Sequence, residues 1–199
     1  MQRLLYSGFK ENYSGEIFAQ GYTFGDADFK TQLSKIKGFN PDIIFVINYG
    51  VEGGLIAKQA RELGINAQII GSDNFCTPDV LKTAGKSVNG VLCINSAPLD
   101  ETQENVVQFK KSYYETYGED PNIIFVSANA YDTAKIIFNA IDKYGNDITI
   151  IKDYLYVMPE YNGVSGKIRF DNNGDATKDF VLQQIINGTI VDYNLTNSK

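Results

Sequence analysis

The segment 41–74 has the clearest hydrophobic pattern in the chain. Its part 42–48 contains a continuous apolar run without alternation of polar residues, which is typical of a strand covered on both faces of a parallel sheet. Apolar residues at helical spacing then predict a helix from near Val51 to Gly64, and residues 67–71 predict a second strand. The pattern is therefore that of a βαβ unit with parallel strands.

Polar residues follow both strands of this unit, at 48–50 and at 72–74. Ligands bind at the carboxyl edge of open α/β sheets, so both loops are candidates for a binding site. The Asp73 carboxylate can accept charge-assisted hydrogen bonds from a cationic group, and Tyr49 can offer its hydroxyl or ring face. We predict that these two bind ligand and that Asn74 and Phe75 line the same cleft. The alternative is that Asp73 only stabilises its own turn and Tyr49 only packs.

Helix and strand patterns alternate through the first 95 residues. Residues 16–22 predict a strand. Asp26 or Asp28 is predicted to cap the helix that follows. Thr77, followed by proline, predicts the start of a short helix. Residues 88–95 predict a further strand. We therefore expect an α/β fold, a Rossmann-like parallel sheet with helices on both faces.

The pattern changes after Pro98. Three helices are predicted in succession, over roughly 101–158, and their apolar faces need a sheet to cover. For the second helix we expect Tyr131 and Phe138 to point inward. Two strands follow, and the turn 171–175 before the second of them is predicted to be a hairpin turn rather than a calcium loop, because it lacks the closing glutamate.

Composition excludes several functions. The net charge of −6 gives no basic face for nucleic acid, and the absence of histidine removes the common triads and histidine metal sites. No phosphate loop or dinucleotide fingerprint is present, so we expect no enzyme activity, no cofactor and no metal. Cys93 is predicted to be a buried strand residue. Cys76 is either a free thiol or its disulfide partner.

Several short motifs occur in an order that resembles a known family. The segment 43–63, with its Tyr-Gly turn and a helix ending in Lys-Gln-Ala-Arg-Glu-Leu, resembles the second lobe of type I periplasmic substrate-binding proteins. These are the Leu/Ile/Val-binding, branched-chain amino acid receptors of ABC importers. Further matching motifs lie at 25–29, 69–73, 129–134 and 163–171, followed by Gly174-Asp175.

The resemblance implies a periplasmic-binding-protein type I lobe and a chain that crosses between two lobes. Residues 1–97 would form the first part of the second lobe, and 98–162 a helical segment belonging to an incomplete first lobe. Residues 163–199 would return to the second lobe and end in a tail. In the resembled family, residues at the positions of Tyr49 and Asp73 contact the bound amino acid, and the acidic one takes its α-ammonium group.

The implied function is extracytoplasmic solute binding for an ABC importer. The ligand would be a small zwitterion, such as a branched-chain or other neutral amino acid, held in an interlobe cleft. The expected partners are a membrane permease and either a missing N-terminal lobe or a second copy. Localisation would be periplasmic or at the cell surface, and residues 1–8 do not read as a signal sequence. The alternatives are a sensing receptor of the same fold and, further off, a flavodoxin-like enzyme.

Overall fold

The computed structural model describes residues 2–121 and 123–194, which form two compact units; the described part of the first is 2–95 with 181–194, and that of the second is 96–180 without 122. The C-terminal tail 195–199 and the side chains of residues 2–5 lie outside the description. The helices and strands follow in chain order: α1 Gln2–Asn12, α2 Lys30–Phe39, β1 Ile43–Val46, α3 Glu52–Glu62, β2 Gln68–Gly71, α4 Pro78–Ala84, β3 Leu92–Ser96, α5 Glu104–Tyr117, α6 Ile124–Tyr144, α7 Ile148–Val157, β4 Tyr161–Gly163, β5 Gly166–Phe170, β6 Ala176–Thr177, β7 Phe180–Ile186 and β8 Thr189–Asp192.

The predicted βαβ unit is present in the first compact unit. β1 and β2 pair in parallel, with Ile44 opposite Ile69 and Val46 opposite Gly71. Helix α3 joins them and is followed by Gly64 at a φ of +71°, a value that glycine adopts without strain. The prediction that both faces of β1 are covered is only partly right, because Ile44 and Val46 are buried but Ile43 is 55% exposed.

The main sheet has five strands in the order β1-β2-β3-β7-β8. β1, β2 and β3 pair in parallel, and β7 with β8 forms an antiparallel hairpin. The core against this sheet contains apolar side chains from α2, α3, α4 and the strands, with Phe29, Ile69, Phe75 and Val80 almost fully buried. The architecture is therefore the expected α/β type with a mostly parallel sheet, which carries the strand ends of the candidate site on one edge.

One local prediction in this unit is wrong and another is partly right. Residues 16–22 form no strand, since no strand lies beside them among the described residues to share a hydrogen-bond ladder. The N-cap position of α2 is Phe29 rather than Asp26 or Asp28, but Asp28 Oδ1 accepts the N–H of Lys30, the first helical residue, at 3.0 Å. The Phe29 N–H donates to Gln59 Oε1 of α3 at 2.7 Å, a contact too far along the chain for a local pattern to reveal.

The start of α4 agrees with the prediction. Thr77 is its N-cap, and the Thr77 Oγ1 accepts a hydrogen bond from the Val80 N–H at 3.5 Å. The proline that follows occupies the first helical position, where a missing N–H does no harm. The strand expected at 88–95 begins later, at Leu92, because residues 85–88 form a 3₁₀ turn instead.

The second compact unit contains α5, α6 and α7 with the small sheet β4-β5-β6. Its core is small, with Val106, Phe109, Ala128 and Val164 buried. The inward stripe predicted for α6 is wrong, since Phe138 is 62% exposed while the buried positions are Ala128, Asp132, Ile136 and Ala140. α6 packs through these four residues. Tyr131 is 38% exposed, although its ring lies 5.1 Å from the Phe109 ring. No described helix is long and apolar enough to cross a membrane.

The strands after the helices also pair differently from the expectation. β5 pairs antiparallel with both β4 and β6, whereas β7 joins the main sheet. The turn between β5 and β6 is a hairpin turn, in which Asp171 Oδ1 accepts the N–H groups of Asn173 and Asp175, each at 2.9 Å. The compact units change at Val181, later than the return expected at residue 163. The assignment of either unit to a lobe remains a prediction.

Candidate functional site

The loops that follow β1 and β2 are joined by the Asn48 side chain, which is 1% exposed. Asn48 Nδ2 donates to the carbonyl of Gly50 at 3.3 Å and to the carbonyl of Asn74 at 3.1 Å. The Asn48 backbone N–H also donates to Ser72 Oγ at 3.5 Å. We call residues 48–50 and 72–77 the edge loops. Asn48 holds them side by side, as expected for neighbouring parallel strands.

Tyr49, Asp73 and Asn74 are half-buried in the edge loops. Asn74 Nδ2 donates to Asp73 Oδ1 at 3.1 Å, so the carboxylate already has one donor on that oxygen. The Tyr49 ring makes an edge contact with Phe24, with 6.5 Å between centroids. Both predicted ligand contacts therefore lie on loops that Asn48 joins, and each side chain keeps part of its surface exposed.

Phe75 is placed differently from the prediction that it lines the cleft. Its side chain is 0% exposed and lies over two glycines. A Cβ on Gly71 would stand 2.1 Å from the Phe75 Cβ, and one on Gly53 would stand 3.0 Å from the Phe75 ring and 2.5 Å from Asn48 Nδ2. Phe75 therefore anchors the second edge loop in the core. The sequence signal was the glycine at each contact position, which permits such close packing.

Two polar side chains near the edge loops were not recognised in the sequence. Glu52 is 4% exposed, and its Oε1 accepts the Gly25 N–H at 3.0 Å. The Tyr22 hydroxyl donates to the carbonyl of Ile47 at 3.0 Å. Burial, and next the charge of Glu52, raises the pKa of the Tyr22 phenol. An acid in the first turn of a helix was the only available sequence signal for Glu52.

Cys76 and Cys93 form a disulfide, which decides the alternative left open by the sequence. Their Cα atoms are 6.1 Å apart, and Cys93 is 0% exposed, as a buried strand residue should be. Cys93 lies opposite Gly71 in the register of β2 and β3. The bond therefore fastens the second edge loop to a strand of the main sheet.

A second polar cluster lies wholly in the second compact unit, around the buried carboxylate of Asp132. Asp132 accepts the N–H of Val164 at 2.9 Å, the N–H of Ser165 at 2.7 Å and the Ser165 hydroxyl at 2.5 Å. Lys178 Nζ donates to Ser165 Oγ at 2.6 Å and also to Asn129 Oδ1. Burial lowers the pKa of Lys178. The cluster joins α6 to the turn between β4 and β5, so its role is structural.

A family model described as periplasmic binding protein matches residues 9–189, which is most of the chain. The chain belongs to the periplasmic binding protein family. The match includes both edge loops and the Asp132 cluster. It confirms the family resemblance drawn from the ordered sequence motifs.

Two relatives of this periplasmic binding protein are named for the amino acids that they bind. The Leu/Ile/Val-binding protein of Escherichia coli K12 is 26% identical over 200 residues, covering 96% of this chain and 52% of its own. A binding protein from Pseudomonas aeruginosa, named for leucine, isoleucine, valine, threonine and alanine, is 26% identical over 167 residues. That alignment covers 83% of this chain and 44% of the relative.

Solved structures of the same type share the fold. A leucine-binding protein from Thermotoga maritima is 30% identical, with a TM-score of 0.78, over 97% of this chain and 55% of that one. A branched-chain amino acid transporter substrate-binding protein from Streptococcus pneumoniae, solved with isoleucine, is 29% identical, with a TM-score of 0.71. It is matched over 96% of this chain and 56% of its own. This periplasmic binding protein thus spans about half the length of these relatives.

Proposed function

We propose that this chain contributes the second-lobe surface of an extracytoplasmic solute receptor for an ABC importer, and that the ligand is a branched-chain or other neutral amino acid. The observation that carries the proposal is the edge-loop arrangement. Asn48 brings the loop of Tyr49 against the loop of Asp73, and both side chains stay partly exposed. Membership of the periplasmic binding protein family and the names of the relatives support the same function.

In this proposal Asp73 accepts hydrogen bonds from the ligand's α-ammonium group through its carboxylate. Asn74 already donates to Asp73 Oδ1, which leaves Oδ2 to receive the ammonium. A charge-assisted hydrogen bond of this type contributes about 1.5–3 kcal/mol. Tyr49 would add its hydroxyl or ring face, at about 0.5–1.5 kcal/mol. The chain would act by binding and lobe closure around the ligand, without chemistry on it.

The ligand's remaining contacts would come from the first lobe of the receptor rather than from the edge loops. Helices α5, α6 and α7 present large exposed apolar side chains, including Tyr117 at 66%, Phe138 at 62% and Ile148 at 82%. Faces of this kind are typical of surfaces that pack against another body. We propose that a first-lobe sheet covers them in the whole receptor. By itself the chain should bind amino acids weakly and associate with itself or with a complementary fragment.

The Cys76–Cys93 disulfide supports a location outside the cytoplasmic membrane, because disulfides persist in oxidising compartments. The receptor would present its closed, loaded form to a membrane permease. A sensing receptor of the same fold would use the same edge loops. No contact in the described residues favours sensing over import, so transport stays the proposal.

The test compares two ligands that differ only in the ammonium group, leucine and 4-methylpentanoate, by calorimetric titration of the whole two-lobe receptor. Wild type should bind leucine more tightly. Asp73→Asn should weaken leucine about 10- to 150-fold and leave 4-methylpentanoate nearly unchanged, as expected for loss of 1.5–3 kcal/mol. Asp42→Asn, at the opposite end of β1 and exposed, is the matched control and should bind as wild type does.

Equal weakening of both ligands by Asp73→Asn would contradict the assigned role, because the carboxylate would then not be reading the ammonium group. Failure of every amino acid in a panel to bind more tightly than about millimolar, an affinity worth about 4 kcal/mol, would contradict the proposed function itself. The whole receptor is required for both measurements, since the chain spans only 52% of the Escherichia coli relative.

A further inference from the structure

Asparagine is followed directly by glycine at four places in the chain. The pairs are Asn89-Gly90, Asn162-Gly163, Asn173-Gly174 and Asn187-Gly188. In such a pair the backbone nitrogen of the glycine can attack the side-chain carbonyl carbon of the asparagine, because glycine has no Cβ to hinder the approach. The attack needs an asparagine side chain that can turn and a glycine N–H that is not held by another acceptor. The surroundings of each pair therefore decide how fast it reacts.

The Asn89-Gly90 pair is held at both reacting groups. The Gly90 N–H donates to the carbonyl of Ile185 at 2.8 Å. Asn89 Oδ1 accepts the backbone N–H of Asn187 at 2.7 Å. Both hydrogen bonds must break before the glycine nitrogen reaches the carbonyl carbon of Asn89, and each should slow the attack by about 2- to 10-fold.

The pairs at 162–163 and 173–174 are hindered in other ways. Gly163 is buried, and a Cβ added to it would overlap the Asp132 carboxylate. The attacking form of a glycine nitrogen has lost its proton and is negative, so a carboxylate beside it disfavours that form. The Gly174 N–H donates to the carbonyl of Asp171 at 3.0 Å, within the hairpin turn between β5 and β6. Neither pair is arranged for attack in the folded chain.

The Asn187-Gly188 pair has neither kind of hindrance. It forms the two-residue turn between β7 and β8, in which Ile186 lies opposite Thr189. Both turn residues are exposed and have positive φ values, +51° and +80°. Asn89 accepts the backbone N–H of Asn187, but among the described residues the Asn187 side-chain amide and the Gly188 N–H have no hydrogen-bond partner. Both reacting groups are thus available.

The hairpin that carries this turn lies at the edge of the main sheet. β8 is the last strand in the order β1-β2-β3-β7-β8, and β7 is its partner. No residue of β8 is buried. An edge hairpin with few buried side chains opens locally at low cost. The turn can therefore reach the geometry needed for attack while the core of the sheet stays folded.

We propose that Asn187 is a site of spontaneous deamidation and that it reacts before the other three asparagines. Hydroxide removes the Gly188 N–H proton, the nitrogen forms a bond to Asn187 Cγ, and the side-chain nitrogen takes a proton from water and leaves as ammonia. Water then opens the resulting succinimide ring. Breaking the new Cγ–N bond gives aspartate, and breaking the original peptide C–N bond gives isoaspartate. The net change is gain of one water and loss of one ammonia.

The two products have different effects on the sheet. Asp-Gly is a favoured sequence for a two-residue hairpin turn, so aspartate at position 187 keeps the turn. Isoaspartate adds a backbone carbon to the turn, and Ile186 can then no longer stay opposite Thr189. Only the isoaspartate form therefore loses pairing between β7 and β8. Either product makes the net charge of −6 more negative, so anion exchange separates modified from intact chains.

The experiment incubates the whole chain at mildly alkaline pH and follows each asparagine by peptide mass spectrometry. Isoaspartyl methyltransferase identifies the isoaspartate product. In the folded chain Asn187 should react at least about fivefold faster than each of the other three, which must first break hydrogen bonds or overcome a nearby charge. In urea all four should react at similar rates, because each is followed by glycine. Asn187→Gly keeps a residue suited to positive φ and is the control, which should form no early acidic species.

Equal rates at the four positions of the folded chain, or a faster reaction at one of the other three, would overturn the proposal. A lead of Asn187 that is as large in urea would also overturn it, because the fold would then not select the site. Hydrogen exchange of the separated forms tests the effect on the sheet. The amides of β8 should lose protection in the isoaspartate form and keep it in the aspartate form, and equal protection in both would contradict the predicted loss of pairing.

Discussion

The packing of Phe75 over Gly71 makes Gly71→Ala a sharp test of how the edge loops are supported. The added Cβ would lie 2.1 Å from the Phe75 Cβ and 2.2 Å from its Cγ. Carbon atoms in packed interiors do not approach so closely, and the clash involves an atom fixed to the backbone. No rotamer change of Phe75 can relieve it, so the loop itself must move.

Overpacking a core lowers the free energy of unfolding by about 1–3 kcal/mol. Because the backbone must also move, we expect a loss of about 3 kcal/mol for Gly71→Ala. For a chain of this size each kcal/mol lowers the melting temperature by about 2–4 °C, which gives a fall of about 6–12 °C. Urea denaturation followed by circular dichroism would measure the free energy of unfolding directly. Phe75→Ala should not rescue Gly71→Ala, because alanine keeps the offending Cβ.

Gly38→Ala is the matched control. A Cβ on Gly38 meets nothing within 4 Å, and the residue lies inside α2 without a positive φ. It should raise stability by about 0.5–1 kcal/mol, since alanine favours the helix. The reasoning would be refuted if Gly71→Ala unfolded within about 0.5 kcal/mol of wild type, or if Phe75→Ala restored the loss.

Three further predictions concern other contacts. Asp132→Asn leaves the N–H groups of the 164–165 turn with one acceptor oxygen in place of two. The free energy of unfolding of the second compact unit, measured by thermal denaturation, should therefore fall by about 1.5–3 kcal/mol. A fall below about 0.5 kcal/mol would contradict the role of the carboxylate. Cys76→Ser with Cys93→Ser should cost about 3 kcal/mol in urea denaturation, and reduction of wild type should cost the same, because the closed loop spans 17 residues. The raised pKa of Tyr22 means that the unfolded chain loses the phenol proton first. That stabilisation is present below the ordinary pKa of about 10 and is lost as pH rises through the folded pKa, so Tyr22→Phe should flatten the fall of stability measured above about pH 10. If stability falls with pH as steeply in Tyr22→Phe as in wild type, the Tyr22 phenol does not cause the fall.

Local patterns predicted the parts of the fold whose contacts are close in sequence. The helix ending before Gly64 and the Thr77 cap depend on neighbours within a few residues, and the strand around Ile44 pairs with β2 of the same βαβ unit. The segment 16–22 failed for the opposite reason. A strand forms only beside another strand, and the residue pattern of 16–22 could not show that no described strand lies beside this segment.

The candidate site divides in the same way. The sequence placed Asp73 and Tyr49 on neighbouring loops because the carboxyl ends of parallel strands follow from topology, and their role in binding stays a prediction. The Cys76–Cys93 pairing needed geometry, since the spacing of the cysteines matches no known motif. The contact between Asp132 and Val164 joins residues 32 apart in sequence, so no local pattern could predict it. The aromatic side of α6 was predicted to face inward because apolar character alone does not show whether another part of the protein covers that side.

The enclosure of the two sulfur atoms has a practical consequence for making the protein. Cys93 has no exposed surface and Cys76 has 6%, so the folded interior slows the access of an oxidant to the pair. We therefore expect the bond to form faster while the chain is still open. Material that matures in a reducing cell interior should therefore contain the dithiol, and its oxidation in air should be slower in the folded chain than in the unfolded one.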